Sequence, residues 1–333
     1  MGERFSVLKP LEIEIIEKIV FKALWFFAPL NSKIIMRKMG KLVTEGEILP
    51  LSINDFILYL KNIDGIEEVE RYRMQIVQLI HKMEISGVLS YVGRKGYTAG
   101  AEKYYYFVRE LSQMQKEVPL WIGEFLGIQY IQHKLKDYVV LITGEDINGD
   151  LHNGTGALIN GNTILTNRHV ITEIKKFETV NVFGNSIKIS EMKTSSRIDI
   201  GVIKLAGSVE VNNHVVFGIP KVLDEILVMG YPSIPRTNDA YLISQSGEVN
   251  SIVLDYHENE GFIYSSITRP GNSGSPIFTK AGHLIGIAAE HLEMEDYCEK
   301  NVVPFYRGIS SREIMKELEI IDPESKIKVE NYM

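Results

Sequence analysis

The sequence predicts a multi-domain protein, with a mainly α-helical N-terminal domain followed by an all-β domain. Its 333 residues exceed the usual size of one domain and suit two. Over residues 11 to about 118, apolar residues recur every three or four positions, the spacing of amphipathic helices. From Asp137 onward, short apolar runs alternate with Gly and Asn, which is typical of strands in a barrel or sandwich. The predicted divisions are a helical domain at 1–118, a connecting helix at 119–136, the all-β domain at 137–321 and a polar tail at 322–333.

Three helices are predicted in the N-terminal domain. The first begins near Leu11, where apolar residues recur at helical spacing. The second is Leu51–Ile63, opened by Ser52 with Asp55 three residues later. The third is Glu67–Ile85, which offers apolar residues for one buried side.

A β-hairpin is predicted after these helices. It consists of a strand over Gly87–Val92, a turn over Gly93–Gly96 and a returning strand over Lys103–Val108. Helices followed by such a hairpin resemble the winged helix-turn-helix fold, so a winged-helix-like domain is expected.

A winged helix implies either DNA binding or a protein contact. The basic candidates for DNA are Arg71 and Arg73 on the third helix and Arg94 and Lys95 in the wing. The domain is nearly neutral, however, and three acidic residues beside the third helix would repel phosphate: Glu67, Glu68 and Glu70. A protein regulator or oligomer contact is the other role, and both remain open.

Composition and charge restrict the class of protein. A net charge of -7 argues against a chain that binds nucleic acid over its whole surface. The lone Cys298 permits no intrachain disulfide, and its acidic neighbours disfavour a thiolate nucleophile. Charges interrupt the apolar N-terminal segment, so neither a signal peptide nor a membrane span is expected. We expect a cytoplasmic protein with no membrane partner.

Three segments of the all-β domain carry residues suited to acyl transfer: Thr166–Val170, Asp199–Leu205 and Gly271–Pro276. A serine hydroxyl is a poor nucleophile at neutral pH and needs a base to accept its proton. Histidine suits that task, and a carboxylate can hold the imidazole in the required tautomer. Glycines on either side of a serine allow a sharp turn that can aim backbone N–H groups at an oxyanion.

These three segments resemble the histidine, aspartate and serine motifs of the trypsin/chymotrypsin-like serine peptidases, and they occur in that family's order. The gaps between the three motifs resemble those of the compact bacterial members, including the high-temperature-requirement proteases and the glutamyl endopeptidases. The resemblance implies a chymotrypsin-like double barrel with the site between two six-stranded barrels. It makes Ser273 the nucleophile, His169 the general base and Asp199 its orienting partner. The N–H groups of Gly271 and Ser273 would form the oxyanion hole, and the reaction needs no cofactor or metal.

The same resemblance places the substrate-binding residues. Ile267, Thr268 and Ala288 would line the specificity pocket, which favours a small or medium apolar side chain, while Glu290 leaves selection of a basic side chain open. The segment from Ala288 to His291, which includes Ala289 and Glu290, would pair with the substrate backbone as an added strand. Asn272 replaces the aspartate that pairs with a trimmed N-terminus in the digestive enzymes, so activation by trimming is not expected.

The leading hypothesis is therefore a serine endopeptidase that cleaves protein substrates and is regulated by its N-terminal domain. A DNA-binding regulator with a self-cleaving or sensing peptidase domain is the alternative from another class. A catalytically silent scaffold is a third reading, disfavoured because all three catalytic residue types are present.

Overall fold

The computed structural model describes residues 10–44, 46–63, 69–96, 102–146, 148–174, 177–211, 215–289 and 305–330. The chain divides into two compact units, Met1–Ser112 and Gln113–Met333. Several residues considered above lie outside the described ranges, among them Glu67, Glu68, Glu290 and Cys298.

The N-terminal unit is helical and carries a small antiparallel sheet. Its elements in chain order are α1 (Ile13–Phe27), a 3₁₀ turn (Pro29–Asn31), α2 (Ser32–Lys38), β1 (Leu51–Ser52), α3 (Ile53–Asn62), α4 (Arg73–Ile85), β2 (Leu89–Lys95) and β3 (Glu102–Phe107). The strand order in the sheet is β1-β3-β2.

Aromatic side chains fill the core of this unit. Phe26 and Phe27 at the end of α1 meet Phe56 of α3 at ring-centroid distances of 5.1 and 5.4 Å. Phe27 also meets Tyr105 of β3 edge-on at 5.9 Å. All four are buried. Helices and hairpin therefore share one hydrophobic core.

The second predicted helix begins as expected, because Ser52 and Asp55 form a reciprocal capping box at the start of α3. The third differs: the described part of that segment becomes α4 only at Arg73. The predicted turn at Gly93–Gly96 is wrong in part. Strand β2 continues to Lys95, and the pairing register with β3 shifts between Tyr91 and Gly93. A bulge thus accommodates the glycine that the sequence pattern assigned to a turn.

The second unit begins with short helices and continues as strands. Its helical elements are α5 (Gln113–Glu117), a 3₁₀ turn (Pro119–Ile122), α6 (Gly123–Leu126), α7 (Ile128–Leu135), a 3₁₀ turn (Lys136–Tyr138), α8 (Arg168–Glu173) and α9 (Ser311–Ile321). The expected continuous helix over 119–136 is broken at Gly127, whose φ of +93° does not fit a helix.

The strands of the second unit form two barrel-like sheets. In chain order they are β4 (Val139–Glu145), β5 (Leu151–Asn160), β6 (Thr163–Thr166), β7 (Thr179–Val182), β8 (Asn185–Thr194), β9 (Gly201–Leu205), β10 (Val216–Phe217), β11 (Glu225–Gly230), β12 (Ile243–Leu254), β13 (Glu260–Tyr264), β14 (Pro276–Thr279), β15 (His283–Ala288), β16 (Tyr306–Ser310) and β17 (Lys328–Val329).

The first sheet has the order β4-β5-β6-β9-β8-β7 within the described residues, and the other runs β14-β11-β12-β13-β16-β15-β10-β17. A further pairing between β14 and β15 closes six strands of this second sheet into a ring. Buried apolar side chains fill the ring, namely Ile226, Val228, Val249, Phe262, Tyr264, Ile277 and Ile285. Two barrel-like sheets agree with the expected double-barrel architecture.

Residues 322–330 pack onto the second unit through polar side chains. Lys204 donates to Asp322 at 2.9 Å, and Asn160 donates to Ser325 at 2.8 Å. Strand β17 then pairs in parallel with β10. Composition alone predicts a polar tail for this segment. It does not reveal the packing, because the contacts are polar and their partners are distant in sequence.

No single helix in the described ranges is long and apolar enough to cross a bilayer. One pair, α1 with the helical stretch Pro29–Lys38, passes by length and composition, but it is bent by 73°.

Candidate active site

His169 and Asp199 are in direct contact. Strand β6 ends at Thr166, and α8 begins two residues later, which places His169 in its first turn. The Nδ1 atom of His169 lies 2.7 Å from Oδ2 of Asp199, and its backbone N–H donates to Oδ1 at 3.0 Å. Both carboxylate oxygens are therefore engaged by the same residue, which fixes their orientation.

The electrostatics favour an ionised Asp199. Burial alone would raise the pKa of its carboxyl group, but the hydrogen bond to His169 and the attraction of a positive imidazole outweigh burial. The pKa of Asp199 consequently lies below its usual value. An ionised carboxylate can accept the Nδ1 proton and leave Nε2 as the basic atom of the ring.

The backbone around Asp199 is also fixed. Asn167 donates its side-chain N–H to the Asp199 carbonyl at 2.8 Å. Since Asn167 directly precedes α8, which carries His169, this bond joins the two segments a second time.

Ser273 lies on the loop between β13 and β14. Gly271 and Gly274 on either side have φ values of +94° and +81°, which ordinary residues adopt only at a steric cost. A Cβ on Gly274 would overlap the Thr155 carbonyl and would lie 3.2 Å from the amide nitrogen of Asn167. The serine loop thus lies against the segment that precedes His169.

Thr155 of β5 connects this loop to the first sheet. Its amide donates to the Ser273 carbonyl and its hydroxyl donates to the Gly271 carbonyl, both at 2.9 Å. The same hydroxyl accepts the Tyr231 N–H at 2.9 Å. No local sequence pattern indicates this role for Thr155, because its partners in these bonds are more than 70 positions away.

The amides of Gly271 and Ser273 donate no hydrogen bond to any described residue. The Pro270 carbonyl accepts the Ser233 N–H at 3.0 Å. In a trans peptide the carbonyl and the next N–H point in opposite directions, so the Gly271 N–H points away from Ser233. Two unoccupied donors flank the serine, as an oxyanion site requires.

The expected substrate-binding residues differ in exposure. Ile267 is 48% exposed, whereas Thr268 and Ala288 are buried. Both backbone groups of Ala288 bond to the serine loop: its N–H donates to Ser275 at 2.8 Å, and its carbonyl accepts from Gly274 at 3.1 Å. The Ala289 N–H donates to Arg307 at 3.0 Å.

The Ala289 carbonyl, in contrast, accepts no hydrogen bond from a described residue. Within the described part of the segment expected to pair with substrate, the Ala289 carbonyl is thus the backbone group that is available to a substrate N–H. No group of metal-binding side chains occurs in the described part of the chain.

Part of this chain is similar to known proteins. Residues 154–287 match the family model for the trypsin-like peptidase domain. The active form of the Rv3671c protease from M. tuberculosis aligns with a TM-score of 0.47 at 15% identity, over 60% of this chain and 86% of that one. The serine endoprotease from Yersinia pestis aligns with a TM-score of 0.44 at 18% identity, over 57% and 64% respectively.

The matched range includes His169, Asp199 and Ser273. The chain therefore contains a trypsin-like peptidase domain and is a serine peptidase, a hydrolase.

Proposed function

We propose that this protein is a serine endopeptidase whose catalytic triad is Ser273, His169 and Asp199. The observation that carries the proposal is the two-point contact between Asp199 and His169, with both carboxylate oxygens on one residue. A carboxylate held in this way orients the imidazole and stabilises its protonated form.

The proposed reaction proceeds through an acyl-enzyme. His169 accepts the hydroxyl proton as Ser273 attacks the peptide carbonyl, and the N–H groups of Gly271 and Ser273 stabilise the resulting oxyanion. Protonated His169 then donates its proton to the leaving amine, and the C–N bond breaks. Water, deprotonated by His169, hydrolyses the ester and restores Ser273.

Ile267 and Thr268 are proposed to contact the substrate residue before the cleaved bond, with Ala288 behind them. The Ala289 carbonyl is proposed to accept a substrate N–H, since it is unoccupied among the described residues. Glu290, outside the described ranges, belongs to the same proposed segment.

Labelling with a fluorophosphonate probe tests the triad, because the probe reacts only with an activated serine. We expect the full-length wild type to be labelled and Ser273→Ala and His169→Ala to remain unlabelled. Circular dichroism of the variants shows whether they are folded. Labelling of a folded Ser273→Ala variant would exclude Ser273 as the nucleophile.

The N-terminal unit is proposed to be a winged-helix-like control module that contacts a protein regulator. Its formation of a separate compact unit with its own aromatic core supports an independent role. DNA binding is less favoured, because Arg73 is already paired with Asn54 and lies 3.6 Å from Glu70. In a mobility-shift assay at low salt we expect no shift of labelled duplex DNA. A salt-dependent shift would favour the regulator alternative instead.

A cytosolic location is part of this proposal, since one cysteine allows no intrachain disulfide.

A further inference from the structure

The loop that carries Asp199 has an internal framework built on one hydroxyl. Ser195 Oγ accepts the N–H groups of Arg197 at 3.0 Å and Ile198 at 3.1 Å. The Ser195 amide donates to the Ile200 carbonyl at 2.9 Å and closes the loop. The position of this hydroxyl therefore sets the course of the backbone that leads into Asp199.

The hydroxyl is itself held by the C-terminal helix. Ser195 Oγ donates to Oε2 of Glu317 at 2.5 Å, and Glu317 Oε1 accepts the Arg197 Nε–H at 2.5 Å. Arg197 also donates to Glu313 Oε2 at 2.7 Å and to the Asn259 side chain. Both ends of the turn that precedes Asp199 are thus attached to α9.

The two glutamates are buried, with side chains only 4% exposed, and they are four residues apart on one face of α9. A buried carboxylate is costly unless it is paired and hydrogen-bonded. Arg197 forms an ion pair with both glutamates, and Lys316 forms a second one with Glu313. The two ion pairs of Arg197 consequently hold Arg197, Glu313 and Glu317 in a single arrangement.

The contacts cross from one sheet to the other. The Asp199 loop joins β8 to β9 of the first sheet, whereas α9 follows β16 and lies against β15 and β16 of the second. Asn259 lies directly before β13 of the second sheet. The nucleophile loop joins β13 to β14 of that same sheet.

We propose that Ser195, Arg197 and Glu317 form a positioning cluster that aligns the Asp199–His169 pair with Ser273. The cluster acts through Asp199 and does not contact the reacting atoms. This inference rests on the proposed catalytic triad.

The test compares fluorophosphonate labelling of full-length wild type, Ser195→Ala and Lys316→Ala across pH. Lys316→Ala is the matched control, because this exposed lysine bonds Glu313 at 2.7 Å but does not touch the Asp199 loop. Ser195→Ala removes the hydroxyl that joins the loop amides to Glu317.

For Ser195→Ala we expect the maximal labelling rate to fall by about tenfold, with little change in probe affinity. The acid limb of the rate profile should also move to lower pH, because a misaligned Asp199 stabilises protonated His169 less. Loss of fold alone would lower the labelled fraction without moving this limb. Lys316→Ala should match the wild type in rate and pH profile.

Glu317→Gln provides a second variant should Ser195→Ala fail to fold, and the same direction of change in rate and acid limb is expected. A normal rate and pH profile in the folded variant would overturn the positioning cluster alone. An equal change in Lys316→Ala would overturn it as well. An unlabelled wild type would instead contradict the proposed function.

Discussion

The two halves of the candidate site are held in place by different means. The half with His169 and Asp199 depends on charged side chains, including a carboxylate pair on a helix more than 110 residues away. The half with Ser273 depends on backbone hydrogen bonds and on two glycines with positive φ. Thr155 connects the two halves through three hydrogen bonds.

The two halves should therefore respond differently to substitutions and to pH. A charged network is sensitive to pH and to loss of one partner, since the remaining charge stays buried. A backbone framework is sensitive to added volume and to lost hydrogen-bond partners, and much less to pH. Substitutions in each half and a change of pH can distinguish the two kinds of support.

Asp199→Asn should lower the fluorophosphonate labelling rate by about four orders of magnitude, because an amide can favour the wrong tautomer of His169. The fold should persist, since asparagine has the same shape. Asp146→Asn is the control: Asp146 lies on an exposed loop, accepts hydrogen bonds from Asn148 and Asp150, and should not affect labelling. A rate within tenfold of wild type for Asp199→Asn would remove Asp199 from the triad.

Gly274→Ala should destabilise the protein by more than about 2 kcal/mol and abolish labelling, because a Cβ would meet both a positive φ and the Thr155 carbonyl. Gly184→Ala separates these causes. Its φ is +77°, yet nothing lies within 4 Å of the added Cβ. Urea unfolding should show a cost of only about 1–2 kcal/mol there. Equal costs in the two variants would mean that close packing of the serine loop is unimportant.

Thr155→Val should leave the Gly271 carbonyl without its donor and the Tyr231 amide without its acceptor. We expect a loss of about 1–3 kcal/mol in the free energy of unfolding and a slower labelling rate. Thr237→Val, which removes an exposed hydroxyl bonded at 2.9 Å to Ile234, serves as the control. If both variants behave alike, Thr155 does not link the two halves.

The smallest effect concerns pH. The pKa of Asp199 is lowered in the folded state, because its pairing with His169 outweighs the effect of burial. Its contribution to stability is therefore complete above the unfolded pKa of about 3.9 and is lost as pH falls through the lower folded pKa. The stability difference between wild type and Asp199→Asn should shrink below about pH 4 in urea titrations. A difference that grows on acidification would contradict the lowered pKa.

Local sequence was sufficient for several elements. Ser52 and Asp55 predicted the start of α3 because a capping box depends on residues three apart. The final helix begins with the same kind of pattern, Ser310 followed three residues later by Glu313, but there the capping box is only half formed. Ser310 accepts the Arg312 N–H at 3.3 Å, but Glu313 pairs with Arg197 and Lys316 instead. A distant charge competes successfully for a side chain that local rules assign to the cap.

The motifs around His169, Asp199 and Ser273 could be predicted as a set, since their residue types and order indicate acyl-transfer chemistry. Residue types and local patterns were sufficient to indicate a serine peptidase, the change from helices to strands and the glycines on either side of Ser273. Tertiary structure alone decided what supports the site. Arg197 and Glu317 are 120 residues apart, and Thr155 is 116 residues from Gly271. Such pairs meet only when the sheets and α9 assemble, and no pattern within a short window of sequence encodes which distant partner satisfies a buried polar group.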